Sequence, residues 1–320
     1  MRGWTLVMGL SALMAWAEPV LGQELRPQLF APGIISTGDD EWGFAMSPDG
    51  RSVWFNKADR GYRYQAILES RRGSDGRWSE PEVASFSGRW RDIDPALSPD
   101  GKRLVFASRR PLREGEPARE DFDLWAVDRL PDGSWSAPWH LGPRVNSSGS
   151  ETNSSIAADG SLYFAANGRP GTSPQLRTLY RSRLGADGYA EPEPLPAPIN
   201  SGHDESNHWI APDQSHLIFL SSRPGGHGQA DLYISFRNGE RWSSPRNLGP
   251  SINRAGSSGA FTPFVSADGG TLYFADRISS QFDSPPLRPL RHEEIQRRLR
   301  APGNGNGDIY VVPWSAAAYR

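Results

Sequence analysis

Five stretches of the chain share one hydrophobic–polar pattern: a short apolar run, a polar turn built on Asp-Gly or a close variant, and a second apolar run ending in Phe. They are Ala45–Phe55, Ala96–Phe106, Ser155–Phe164, Trp209–Phe219 and Phe264–Phe274, with turn aspartates Asp49, Asp100, Asp159, Asp213 and Asp268. Each pattern predicts an antiparallel hairpin. Downstream of each hairpin a third strand is predicted, beginning at Asp123-Leu124-Trp125, Asp231-Leu232-Tyr233 and Asp308-Ile309-Tyr310, and more weakly at Gln65-Ala66-Ile67 and Thr178-Leu179-Tyr180. A Trp-Ser-x-Pro segment follows at Trp78–Pro81, Trp135–Pro138 and Trp242–Pro245, with Tyr189–Pro192 in its place in the third repeat. Proline cannot donate to a ladder, so this segment is assigned to the outer edge of each sheet. Hairpin repeats of this period predict an all-β fold, a five-bladed β-propeller of four-stranded antiparallel sheets.

The fifth repeat stops short of its outer strand. Pro27–Ile34 matches Pro245–Ile252, with Pro, Pro and Ile in register, so an N-terminal strand within residues 25–36 is expected to complete the last blade and close the ring. The blades then span about 41–83, 92–141, 151–195, 205–248 and 259–314 of a single domain over residues 23–320. The widest departure from the repeat is an insertion at 278–307. Within it, Leu290, Ile295 and Leu299 recur near helical spacing with arginines on the other side, which predicts a short basic helix. A lid, a docking element and a solvated insertion are all compatible with it. Pro111–Asp121 is a smaller insertion at the same place in blade two.

Composition narrows the class. Thirty-four Gly and 28 Pro are spread along the 320 residues, as a turn-rich β protein needs, and the net charge of −2 offers no basic footprint for nucleic acid. Cysteine is absent, which excludes disulfides and thiol catalysis. Met1-Arg2, the apolar run Trp4–Trp16 and small residues at Ala15, Ala17 and Gly22 read as a signal peptide over residues 1–22, cleaved after Ala17 or Gly22. The expectation is a periplasmic or secreted monomer with no transmembrane segment once the signal is removed.

The stretch Pro95–Phe106 with Ser108-Arg109 and Asp123-Leu124-Trp125, and Ser222-Arg223 with Asp231-Leu232-Tyr233, resembles the TolB-like family of bacterial, WD-repeat-like propellers of the Ser-Pro-Asp-Gly type. The resemblance covers about residues 25–314. It implies a propeller fold; for an exported chain of this kind the expected partner is an envelope protein or polysaccharide. The TolB propeller has six blades and a separate N-terminal domain, whereas five repeats are counted here, so TolB's own role is not carried over.

Counting back eight residues from each turn aspartate gives Glu41, Asp92, Glu151, Glu205 and Ala260. Two residues on lie Gly43, Asp94, Asn153, Asn207 and Thr262. Strand alternation places both sets on one face, ringing the mouth of the central channel. The loop after the second strand brings Arg60, Arg109, Arg169, Arg223 and Arg277 to the same end. The carboxylates and arginines are therefore either glue between blades or a polar funnel for a ligand. His208 joins the candidates from blade four, where His203, Asp204, Glu205, Asn207 and His227 also cluster. Their spacing matches no metal signature, and no metal or cofactor is expected. A non-catalytic binding scaffold is the favoured function. The alternative is a carbohydrate-active enzyme, a glycoside hydrolase or lyase, that uses two of these carboxylates as acid and as base or nucleophile.

Overall fold

The computed structural model describes residues 25–255, 259–279, 286 and 288–320. The proposed signal peptide lies outside these residues. Five antiparallel sheets surround a central channel, and the fold is the expected five-bladed propeller. The innermost strands are Asp40–Met46, Asp92–Leu97, Glu151–Ile156, Glu205–Ile210 and Phe261–Val265. Each turns through its Asp-Gly hairpin into a second strand whose aromatic end is fully buried: Phe55, Phe106, Phe164, Phe219 and Phe274 are at most 1% exposed.

The third strands start at the five expected positions: Gln65–Arg71, Asp123–Asp128, Thr178–Ser182, Asp231–Asn238 and Asp308–Pro313. The fourth strand begins later than the Trp-Ser-x-Pro pattern suggests, at Glu82–Val83, Trp139–His140 and Arg246–Asn247, just past the proline. The Trp-Ser step is instead an elbow. Its serine hydroxyl accepts a backbone N–H from the third strand, Arg71 to Ser79 at 3.1 Å, Asp128 to Ser136 at 3.0 Å and Phe236 to Ser243 at 3.0 Å. A side chain thus takes over the ladder where the chain bends, and regular pairing resumes only beyond the residue that lacks an N–H.

Blade five is completed by Gln28–Leu29, which pairs with Val311 and Tyr310. Phe30 secures this closure. Its ring lies 5.3 Å from Phe44 and 5.6 Å from Trp78 in blade one, and 5.2 Å from Tyr273 in blade five, each edge-on. Where the chain passes from one blade to the next, a polar side chain docks on the aliphatic residue of the third strand just left. Asn146 receives the Leu124 N–H at 2.7 Å and donates to its carbonyl at 3.0 Å. Asn200 does the same to Leu179 and Asn253 to Leu232. Ser87 accepts from Ile67, and Ser36 both accepts from and donates to Ile309. The Asn amide or Ser hydroxyl acts as one more residue of the ladder, satisfying backbone that would otherwise be buried without a partner.

The insertion contains one helix, α1, His292–Leu299. It begins at Arg291 with Glu294 folding back onto the Arg291 N–H (2.8 Å), and acidic residues in its first turn and basic ones in its last suit the helix dipole. None of its residues is buried, and Ile295 and Leu299 face solvent. The chain returns to blade five through Asn304 and Asn306, which both donate to the Gly38 carbonyl at 2.8 Å.

Ser36→Ala leaves the Ile309 N–H and carbonyl without their side-chain partner at the seam. It is expected to lower unfolding stability by about 1–3 kcal/mol, read as a shift in the urea midpoint with an unchanged slope. Deleting residues 24–36 should lower the melting temperature of the whole domain in one cooperative transition. Retention of the parent melting temperature would refute closure by this strand.

Candidate functional site at the channel mouth

One backbone feature recurs in all five innermost strands and decides where the candidate residues point. Gly43, Asp94, Asn153, Asn207 and Thr262 all have positive φ, between 41° and 62°. At each, the pairing with the second strand slips. Trp42 faces Asn56 and Ala45 faces Trp54, so two inner residues oppose one outer residue. The same slip occurs between Ile93 and Ala96, Thr152 and Ser155, Ser206 and Trp209, and Phe261 and Phe264. These are β-bulges, and a bulge cancels simple alternation. The two sets of residues therefore do not share a face as expected.

The outer set, Glu41, Asp92, Glu151 and Glu205, is at most 1% exposed and turned into the blade packing. Asp92 accepts Ser108 at 2.6 Å, Arg110 at 2.8 Å and Ser87 at 2.8 Å. Glu151 accepts the Ser147 hydroxyl at 2.6 Å, its N–H at 3.1 Å and Arg169 at 3.2 Å. Glu205 accepts Ser201 and Ser221 and lies 3.5 Å from Arg223. Glu41 accepts Thr37 and lies 3.3 Å from Lys57. Burial pushes the Glu41 and Glu151 carboxyls above their ordinary range, while the Thr37 and Ser147 hydrogen bonds and the adjacent cations pull back.

The arginine placement needs one correction. Arg110, not Arg109, pairs with Asp92, and Arg109 instead stacks on Phe122 at 4.8 Å. The signal was present as spacing: Arg110, Arg169 and Arg223 each follow their carboxylate by 18 residues (110 − 92, 169 − 151, 223 − 205). Each also lies over two aromatic rings, Arg110 on Phe106 and Trp125, Arg169 on Phe164 and Tyr180, Arg223 on Phe219 and Tyr233, at 4.8–5.4 Å. Each donates to a carbonyl of the incoming linker, Phe86, Val145 and Ile199 respectively. Arg277 goes elsewhere, to Tyr62 (2.8 Å) and Asp40 (3.4 Å) in blade one.

Three of the bulge residues, Asp94, Asn153 and Asn207, line the polar mouth of the channel. Asn153 donates to Asp94 at 2.7 Å through its amide and at 3.2 Å through its backbone, and to Asn207 at 3.2 Å. The Thr262 hydroxyl accepts the Gly43 N–H at 3.2 Å. A Cβ at position 43 would collide with the Asn56 side chain, which is occupied in receiving the Asp94 N–H at 2.8 Å. Above this ring opens a cavity of about 340 Å³, where Asp94, Asn153 and Asn207 are joined by Arg177, Arg277, Trp42, Tyr62 and Phe261. Burial pushes Asp94 up to about 6, offset in part by the Asn153 N–H, the Arg177 charge and the Trp42 indole. His208 does not reach this mouth; it lines the opposite end of the channel. Asp204 is taken by Arg177 at 2.6 Å. Among the described residues, no three His, Cys, Asp or Glu side chains converge as a metal site.

No family model matches the chain, and no curated protein matches it. Solved structures resemble it at low identity. A protein assigned as TolB from Agrobacterium tumefaciens is 16% identical over 87% of this chain and 91% of its own, with a TM-score of 0.47. A glycoside hydrolase is 10% identical over 90% and 91%, with a TM-score of 0.54. The xyloglucan PUL GH43B protein of Bacteroides ovatus is 13% identical over 89% of this chain and 55% of its own, with a TM-score of 0.51. The latter two, at identities this low, support the propeller architecture alone.

Glu151→Gln leaves the Arg169 guanidinium buried without its anion and should cost about 3 kcal/mol or more in denaturant unfolding. Asp308 is fully buried, faces Asp276 across the ladder and has Gly303 N–H on one oxygen only. Burial, with Glu41 and Asp40 nearby, pushes it up to about 7. A carboxyl raised above its unfolded value of about 4 binds its proton more tightly when folded, so its contribution is complete below that value and is lost as pH rises through 7. Asp308→Asn should therefore melt progressively higher than the parent as pH is raised from 4 to 8. A constant difference across that range would refute the assignment.

Proposed function

We propose that this chain is an exported propeller of the TolB-like kind that binds an envelope ligand at the polar channel mouth without transforming it. The observation carrying this reading is the division of labour between the two rings. The outer carboxylates are consumed by serines, threonines and cations inside the blades, while Asp94, Asn153 and Asn207 of the bulge ring, with Arg177 and Arg277 beside them, present carboxylate, amide and guanidinium groups to the cavity. Trp42, Tyr62 and Phe261 flank those groups, and flat aromatic faces beside convergent hydrogen-bonding groups suit a polysaccharide better than an apolar ligand. The envelope location rests on the signal-like N-terminus. Among the described residues no helix is long and apolar enough to cross a membrane. The exposed Ile295–Leu299 stripe of α1, with its arginines, is a second surface through which a protein partner could dock.

The enzyme alternative needs two carboxylates across a cleft. Asp94 is the one carboxylate among the described residues lining this mouth, which favours binding over hydrolysis.

A glycan array on the secreted protein should identify a saturable polysaccharide ligand that is recovered intact after prolonged incubation. Arg177→Ala and Asp94→Asn should each weaken that binding by about tenfold. Asn retains the acceptor for Asn153 and tolerates positive φ, so Asp94→Asn should melt no lower than the parent. Release of reducing ends that stops in Asp94→Asn would replace scaffold by hydrolase.

A further inference from the structure

Blade two breaks the repeat in its charges, at two positions beside the outer carboxylate. The residue before that carboxylate is Asp40 in blade one and Asp204 in blade four, and each neutralises an arginine: Arg277 lies 3.4 Å from Asp40 and Arg177 2.6 Å from Asp204. Blade two carries Arg91 there instead. Seventeen residues after the carboxylate stand Gly168 in blade three and Ser222 in blade four, whereas blade two has Arg109 (168 − 151, 222 − 205, 109 − 92). Blade five also has an arginine at this place, Arg277, but Asp40 of the next blade answers it. In blade three the residue equivalent to Asp40 is Ser150, which carries no charge.

Arg91 and Arg109 are held together. The Arg109 N–H donates to the Arg91 carbonyl at 3.0 Å, and both guanidinium groups lie over the Phe122 ring, 5.6 and 4.8 Å from its centre. Among the described residues neither forms an ion pair. Asp59, whose charge acts on Arg91, is occupied by the Tyr64 N–H at 2.8 Å and Arg63 at 3.2 Å. Arg91 gives its Nε to the Gln65 amide oxygen at 2.7 Å. Both side chains are part-exposed; only Nε of Arg109 is sealed off without an acceptor, and its two terminal nitrogens stay open to solvent. Arg119, whose N–H donates to the Arg109 carbonyl, shows the ordinary outcome, with Asp121 at 2.6 Å and Asp123 at 3.1 Å. Burial first, and the Arg109 charge second, pull the Arg91 guanidinium below its ordinary value. Stacking on an aromatic face favours each cation but leaves their mutual repulsion, which an anion between them removes. The pair stands beside the polar mouth: Arg91 shortly precedes Ile93 and Asp94, which line that cavity, and Phe122 packs in one cluster with Trp42, Ile93 and Tyr62.

We infer that Arg91 and Arg109 form an anion subsite beside the polar mouth, and that the polysaccharide bound there is an acidic one whose carboxylate groups the two guanidiniums receive. Planar guanidinium forks with open N–H groups match a carboxylate in geometry as well as charge. This inference rests on the polysaccharide reading of the mouth and names the class of chain it takes.

The test is isothermal titration calorimetry of the full chain with alginate, polygalacturonate and hyaluronate, each beside its carboxyl-reduced form, the same backbone with neutral alcohols in place of the acids. At least one acidic polymer should bind, about tenfold or more tighter than its reduced form, with a Kd that rises as NaCl is raised from about 0.05 to 0.5 M. Arg91→Gln and Arg109→Gln should each weaken the acidic polymer about tenfold and leave the affinity for the reduced form where it was. Arg91→Lys and Arg109→Lys keep the charge and the aliphatic stem and should recover most of the loss, which separates a missing charge from an uncovered Phe122. Arg129→Gln, the same loss of charge at the Asp-Gly turn end, should bind as the parent does. Equal affinity for acidic and reduced forms, parent-like binding by both glutamine variants, or an equal loss in Arg129→Gln would overturn the anion subsite and leave a neutral polysaccharide at the mouth. Binding to none of these polymers, acidic or reduced, would also overturn it, and the glycan array then decides the polysaccharide reading separately.

Discussion

The left-handed residue in each innermost strand is the constraint on which the rest of this propeller depends. Five strands converging on one axis are bent there by an extra residue, and that residue needs positive φ. Gly43, Asp94, Asn153 and Asn207 are the types that adopt it at least cost. Thr262 is not, and its hydroxyl offsets the strain by accepting the Gly43 N–H. The kink sends the carboxylate before it into the blade, holds its own side chain over the polar mouth, and delivers the next residue to the opposite mouth.

Behind the kink, blades two, three and four are each latched by a carboxylate, an arginine and a pair of aromatic rings. The cation reaches the linker carbonyl while a linker hydroxyl reaches the carboxylate, so one ion pair ties the blade to the chain entering it. Blade five keeps the physics with different residues. Ala260 stands where the carboxylate would be, and Asp276, on the facing strand, supplies the anion. Arg254, in the linker position held by Ser147 and Ser201 elsewhere, supplies the cation; its charge acts on Asp276 and its guanidinium lies over Tyr310 at 5.9 Å.

The two ends of the channel consequently differ. Glycine, amide, acid and hydroxyl side chains at the kinks make one end polar. Proline, phenylalanine and the apolar ends of the strands make the other mainly apolar.

How much of this was legible in the chain depended on the range of the interaction. The hairpins, the third strands and the closing strand were readable because each rests on a local pattern, and Pro27–Ile34 repeats Pro245–Ile252 closely enough to show the missing edge. Arg110 is readable from its 18-residue offset from Asp92, the offset that Arg169 and Arg223 keep from their own carboxylates. The facing of Glu41, Asp92, Glu151 and Glu205 was not readable by alternation, because a bulge is one extra residue in one strand and shows only when the partner strand is beside it. His208 looked like part of a polar cluster with Asp204 and Glu205. Only the folded ring separates them, sending Asp204 to Arg177, Glu205 to Arg223 and His208 to the far mouth. Short-range order in the amino acids thus specifies blades and their number, whereas the direction each polar side chain takes is decided by register between strands and blades far apart in the chain.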